Sequence, residues 1–298
     1  MSITEFIALR EHIEHLIEET KGWIDKKSIL ESYKRIEECN ALLTKLNAMA
    51  NGDTQSRVVL NRRYQLESLE KQIDEILSKR EVGKKEDGNI AFKCNWNDKY
   101  YKAPCSLDSY NLNINQGRAW CSSPQSKCRE YGDEVDLKNH PCYESIALKH
   151  MFFGAGWDHT GERNQPRHIH SAKVGRMAIL TTRPPNAEEP DRIIVGCLFI
   201  KALQDDPGEE TKIFGDIVKS FEIDYDKIKV KFWDYYKNAG DENLILWASG
   251  LFRYITDETV FNILKGIGEQ YKNLNRDVAK IIGLIRYYEE LIARKGKN

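Results

Sequence analysis

Five cysteines lie within one window of the chain, and their thiols are the strongest chemical signal in the sequence. Four of them are separated by ten, fifteen and six residues. Four thiolates are the number that closes a tetrahedral zinc site or holds an iron–sulfur cluster, and the flanking lysines and arginine favour the thiolate form. We predict zinc, with an iron–sulfur cluster as the alternative, bound by Cys94, Cys105, Cys121 and Cys128. Cys142, His140 or His150 could replace one ligand, and buried thiols without metal are the competing interpretation.

A second group of chemistry-bearing residues lies between Phe152 and Arg183, where cations and imidazoles outnumber carboxylates. A local cationic patch beside an aromatic ring suits phosphate contact together with base stacking. His168 and His170 also place two imidazoles on one side of an extended segment, as a metal site would need. A solvated loop with packed histidines is the other interpretation. The predicted nucleic-acid contacts in this segment are Trp157, Arg163, Arg167, His168, His170, Lys173, Arg176 and Arg183.

The charge of the whole chain limits what such a patch can bind. Its 298 residues carry 45 lysines and arginines against 46 aspartates and glutamates, which gives a net charge of -1. A neutral chain is not drawn to every polyanion, so nucleic-acid binding would be selective. Seven cysteines indicate a reducing compartment. The sequence contains no run of about 18 apolar residues, which a membrane span would need. We therefore expect a cytoplasmic protein that does not enter a membrane.

The first 82 residues have the apolar periodicity of helices, and we assign them to one domain. Ser28 followed by Glu31 predicts a capping box at the second helix, and Asn51–Asp53 predicts a break before the third. The unit is a helical hairpin or a three-helix bundle. Its alternating acidic and basic face is either a solvated surface or a coiled coil that binds a protein partner or forms a homodimer.

A glycine-containing segment around residues 80–89 predicts a linker, after which the second domain spans residues 90–298. From Ile90 to Asp133 the chain shows little periodicity. An irregular stretch of that length needs a cross-link to hold it, which predicts a metal module over residues 90–142.

The remainder of the second domain predicts strands followed by helices, an α+β arrangement. Runs of branched residues predict a long hairpin, and strict alternation predicts a half-exposed strand over Ile228–Trp233. The hairpin strands and the terminal helices are expected at Met177–Thr182, Arg192–Ile200, Asp257–Tyr271 and Asp277–Arg294, with Thr256 as a helix cap.

The hairpin sequence resembles the PUA-like superfamily, in particular its EVE-type and ASCH-type members. Gly175 stands just before a strand, and Ile193–Ile200 has the apolar-apolar-Gly-apolar form of the next strand. The match covers about residues 150–255, where Phe232–Trp233 and Leu246–Tyr254 are similar to the closing strands. This chain has Arg176 where those domains often have an acidic residue.

The resemblance implies a small mixed β-barrel that recognises RNA, or DNA with a modified base, by holding a flipped base in an aromatic pocket. Trp157, Trp233 and Trp247 are then the candidate walls, whereas ordinary core packing is the other interpretation of Trp233 and Trp247. The function predicted first is nucleic-acid recognition, with DNA or RNA as the partner. The alternatives are a metal-dependent nuclease that acts through His168, His170 or Asp136, and a helical scaffold that binds a protein.

Overall fold

The computed structural model confirms the α+β class and describes most of the chain. The described residues are 3–81, 87–115, 121, 126, 142–158, 165–238, 243–247, 250–274 and 276–296. They form seven helices and nine strands and divide into two compact units. No described helix combines the length and the apolar character that a membrane span requires.

Unit 1 is built on three helices whose apolar stripes pack on one another. They are α1 (Ile3–Asp25), α2 (Ile29–Met49) and α3 (Asp53–Glu81). Side chains at helical spacing form one buried core, and Leu244 and Leu246 from the later chain join it. The predicted capping box is wrong, because Ser28 precedes α2 but its side chain makes no capping hydrogen bond.

Unit 2 contains a mixed sheet that carries the candidate site. Its strand order is β2-β7-β6-β5-β1-β9, and β8 also pairs with β6. Only the β1–β5 pair is parallel among the described strands; every other pairing is antiparallel. The strands are β1 (Asn89–Lys93), β2 (Phe152–Gly154), β5 (Met177–Thr182), β6 (Ile193–Gln204), β7 (Lys212–Gly215), β8 (Phe221–Glu222) and β9 (Phe252–Ile255), and a separate small ladder joins β3 (Trp157–Asp158) and β4 (Gln165–Pro166).

The predicted hairpin is present as β5 and β6, but the closed barrel is not confirmed. The described strands form an open path with β2 at one end and β9 at the other. A barrel needs a hydrogen-bonded ladder between its first and last strands. In the part of the chain that the structure describes, no such ladder joins β2 to β9.

Two local predictions are wrong. In the predicted strand Ile228–Trp233, buried and exposed side chains alternate only as far as Phe232, since Trp233 is buried as well. The segment forms only one isolated bridge, from Lys231 to Ile193, and then a 3₁₀ turn at Phe232–Asp234. The stretch after Ile90 is not uniformly irregular, because Asn89–Lys93 is β1, an interior strand between β5 and β9. A lone short apolar run lacks a period long enough to identify it as a strand.

Four more helices belong to unit 2. They are α4 (Leu107–Asn115), α5 (Tyr143–Lys149), α6 (Asp257–Asn273) and α7 (Ala279–Lys295). The predicted cap of α6 is confirmed, since the Thr256 hydroxyl accepts a hydrogen bond from the Thr259 amide at 3.1 Å. That bond satisfies one of the amides that a helix leaves open at its N-terminus.

Candidate functional site

The histidine-bearing segment that follows β4 is fixed to the sheet by its own backbone. The Ile169 amide donates to Thr211 Oγ1 at 3.0 Å, and the Thr211 amide donates to the Arg167 carbonyl at 3.1 Å. The amides of His170 and Ser171 both donate to the Tyr254 hydroxyl at 3.1 Å. Because strand β9 and the residue just before β7 supply these partners, the segment has a defined conformation although it is a loop.

His168 is held by a carboxylate that comes from the turn between β6 and β7. Its Nδ1 lies 2.7 Å from Asp205 Oδ1, and the Thr211 hydroxyl donates to the same oxygen at 2.5 Å. The hydrogen bonds from Thr211 and His168 lower the pKa of Asp205. The His170 ring lies beside His168, with centroids 6.3 Å apart and planes tilted by 30°. The structure therefore brings together the two histidines that the sequence singled out, and adds Asp205.

The guanidinium of Arg176 contacts other residues of unit 2. Its Nε donates to the Asp87 carbonyl at 2.8 Å and lies 3.4 Å from the carboxylate of Asp257, which is fully buried. Lys295 Nζ bridges Asp257 Oδ2 at 2.6 Å and Asp87 Oδ1 at 2.5 Å. This network connects α7 to the start of α6 and to the residues before β1, so Arg176 serves the fold of unit 2.

Arg183 and Trp233 belong to a second cluster, centred on Glu189, in which the Arg183 side chain stays 37% exposed. Arg192 binds Glu189 through two hydrogen bonds, at 2.5 and 3.0 Å, and Arg183 lies 3.5 Å from the same carboxylate. The Trp233 indole donates to Glu189 Oε1 at 3.1 Å, and the residue is only 9% exposed. The hydrogen bonds and charge of Arg192 lower the pKa of Glu189 against the opposing effect of burial. The prediction that Trp233 offers a face to a base does not agree with this burial.

The other predicted aromatic walls have different environments. Trp247 is buried in unit 1, 1% exposed, and its indole donates to the Gly250 carbonyl at 3.0 Å. Trp157 lies on β3, opposite Pro166, and is half-buried, so part of its ring stays accessible. Lys173 is exposed, Arg167 is half-buried, and Arg163 lies outside the described residues.

The described cysteine ligands belong to two hydrophobic clusters of unit 2. Cys94 packs in the core of the sheet, and its amide donates to the Thr181 carbonyl at 2.7 Å. Cys105 and Cys121 share a small apolar cluster with Tyr110, and Cys128 lies outside the described residues. Within the described ranges, no three His, Cys, Asp or Glu side chains are arranged to hold a metal ion. Zinc or an iron–sulfur cluster stays a prediction.

A polar pair, Asn95 and Glu144, lies beside two thiols of the cysteine window. Glu144 is 3% exposed and accepts a hydrogen bond from Asn95 Nδ2 at 2.5 Å. The same Asn95 nitrogen lies 3.9 Å from Cys121 Sγ. On the other side of the pair, Glu144 lies 4.0 Å from Cys142 Sγ. Burial raises the pKa of Glu144, and burial together with Glu144 raises the pKa of Cys142 to about 11. Burial therefore favours the neutral form of the Cys142 thiol.

Asp205, Thr211 and Glu144 are the polar residues that sequence reasoning did not select. Asp205 and Thr211 belong to an acidic turn between two strands, and its composition is that of an ordinary hairpin connection. No motif joins them to His168, which lies 37 residues before Asp205. The pairing of β6 with β7 forms the turn that holds Asp205 and Thr211, and the hydrogen bond from the Thr211 amide to the Arg167 carbonyl brings that turn beside the histidine.

Comparison with known proteins adds no family to this description. No protein-family model, no curated protein and no solved structure matches the chain. The likeness to PUA-like domains therefore stays a prediction, and the candidate site is defined by its own geometry.

Proposed function

We propose that the protein binds nucleic acid through the segment from Gln165 to Lys173. The observation that carries this proposal is that the backbone of the segment is fixed to β9 and to Thr211 while His170 and Lys173 are exposed. A preordered loop that displays cationic and aromatic side chains loses little conformational freedom when it binds a phosphate chain.

The set of contacts in this proposal is smaller than the sequence predicts. Arg176 and Arg183 form ion pairs with Asp257 and Glu189, so we leave them out. Asp205 also brings a negative charge next to His168. The remaining cations are few, which supports weak, selective binding in place of general attraction to polyanions.

Trp157 is the aromatic residue that we propose for base contact. It is half-buried on β3, whose partner strand β4 begins the same segment, whereas Trp233 and Trp247 have internal partners. Stacking of one base on an aromatic ring contributes about 1–3 kcal/mol. A flipped or modified base, as the PUA-like resemblance implies, is the finer form of this proposal.

The test is the binding of short single-stranded and duplex RNA and DNA to the full chain at several salt concentrations. We expect affinity to fall with salt as for about two phosphate contacts, and the double variant Arg167→Ala and Lys173→Ala to remove most of that dependence. Lys227→Ala, which removes an exposed lysine of the same unit, is the matched control. Binding that is absent, or that the double variant leaves unchanged, contradicts the proposal.

A further inference from the structure

The two histidines of the segment have different supports, and this difference suggests a division of chemical roles. We propose that His168 and His170 form a general base and general acid that cleave bound RNA at a phosphodiester bond, with the adjacent ribose 2′-hydroxyl as nucleophile. This inference rests on the proposed nucleic-acid binding and adds a substrate class and a reaction to it.

His168 has the support that a general base needs. An ionised carboxylate only accepts hydrogen bonds, so the contact of 2.7 Å with Asp205 fixes the proton of the neutral imidazole on Nδ1. The lone pair is then on Nε2. Thr211, which is 1% exposed, holds Asp205 in turn through its hydroxyl, and the His168 side chain remains 35% exposed. A base that is oriented by a second group and open to solvent fits proton abstraction.

His170 is placed to act on the other side of a small reacting group. It is two residues further along the segment, and its ring lies beside that of His168, with centroids 6.3 Å apart. Its backbone amide is fixed by Tyr254, and the residue is exposed. A phosphoryl group placed between two such rings can be within hydrogen-bond reach of both.

The reaction balances without a further reactant. His168 Nε2 takes the proton of the 2′-hydroxyl as the 2′-oxygen forms its bond to phosphorus. The bond from phosphorus to the 5′-oxygen breaks, and protonated His170 gives its proton to that oxygen. The products are a 2′,3′-cyclic phosphate and a 5′-hydroxyl end, and the two histidines have exchanged protonation states.

Asp205 is a positioning residue in this scheme, because it contacts His168 and not the substrate. Asp205→Asn keeps the size of the side chain but no longer requires a proton on Nδ1. We expect the cleavage rate at saturating RNA to fall by roughly 10- to 100-fold, while the RNA dissociation constant stays within about twofold. A purely structural role would change both together.

The experiment uses the full chain with one RNA oligonucleotide and the DNA of the same sequence, in buffer that contains a chelator. We expect RNA to be cleaved to cyclic-phosphate ends with a bell-shaped dependence of rate on pH, and DNA to be bound but left intact. His168→Gln and His170→Gln should each lower the cleavage rate by about 100-fold or more. His12→Gln, which changes an exposed histidine of α1, is the matched control and should keep the full rate.

Each alternative outcome is decisive. RNA that is bound but stays intact overturns the acid–base inference and leaves the proposed binding in place. Cleavage that needs a divalent metal, that also occurs in DNA, or that is equally fast in all variants overturns it as well. If neither RNA nor DNA is bound, the proposed function itself fails and the inference fails with it.

Discussion

Thr211 connects the candidate site to the sheet, and Thr211→Val tests that connection with almost no change in shape. The hydroxyl of Thr211 accepts from the buried Ile169 amide at 3.0 Å and donates to Asp205 at 2.5 Å. Valine leaves the Ile169 amide without that acceptor in a site where Thr211 is 1% and Ile169 is 6% exposed. An unsatisfied buried amide costs about 1–3 kcal/mol, so we expect unit 2 to lose about 2 kcal/mol of unfolding free energy.

Urea unfolding measures this loss, and hydrogen exchange of the Ile169 amide locates it. Thr211→Ser is the matched control, because it keeps both hydrogen bonds and removes only a buried methyl group, for about 1 kcal/mol. We expect fast exchange at Ile169 in the valine variant and slow exchange in the serine variant. If Thr211→Val costs no more than Thr211→Ser, or if Ile169 stays protected, the loop is fixed by other contacts and our reasoning about its preorganisation is refuted.

Four further predictions concern buried groups and the metal. Burial raises the pKa of Glu144 above its usual 4.5, so the folded chain holds this proton to higher pH than the unfolded chain does and loses stability as the pH rises above 4.5. Glu144→Gln should therefore gain stability relative to the wild type in urea titrations as the pH rises above 4.5, and a difference that stays constant with pH would contradict this. Asp257→Ala should lower the unfolding free energy by about 3 kcal/mol in thermal or urea unfolding, because it removes the buried carboxylate that Arg176 and Lys295 contact. Glu258→Ala, at an exposed neighbouring position, should lower it by less than about 1 kcal/mol. Equal losses in the two variants would argue against the network. Trp233→Phe should lower stability by about 1 kcal/mol without changing nucleic-acid affinity, and weaker binding in this variant would restore it as a base contact. If the cysteine window binds metal as its sequence predicts, metal analysis and an absorbance spectrum of fresh protein should show about one zinc per chain or the colour of an iron–sulfur cluster, and colourless, metal-free protein would leave the thiols as core residues.

Local periodicity predicted the elements of this chain that depend on neighbouring residues. Spacings of three and four fix which face of a helix is apolar, and the three N-terminal helices follow them. The branched run Met177–Thr182 is β5 at those bounds, and Thr256 caps α6 as its position before a helix predicts. Each of these features needs only contacts that are close along the chain.

Spacing along the chain misled where a residue's role depends on a distant partner. Ile228–Trp233 alternates as a strand does, yet it forms only one bridge, to Ile193 of β6. Arg176 and Arg183 look like cations available to a ligand until Asp257 and Glu189 are brought to them by the fold. The sequence does not show which carboxylate an arginine side chain will contact. The position of that carboxylate in the fold decides whether the guanidinium is available to a ligand.

The sequence by itself determined the helical N-terminal region, the β5–β6 hairpin and the two histidines that lie two residues apart in one segment. Only the tertiary structure decided that His168 has a carboxylate partner, because Asp205 is 37 residues away and the β6–β7 turn that carries it is hydrogen-bonded to the histidine segment through Thr211. The same holds for the burial of Trp233 against Glu189. Side-chain periodicity is a property of one segment, whereas the packing of distant segments determines which groups form hydrogen bonds and ion pairs with one another. These partners distinguish a candidate site from a group of polar residues.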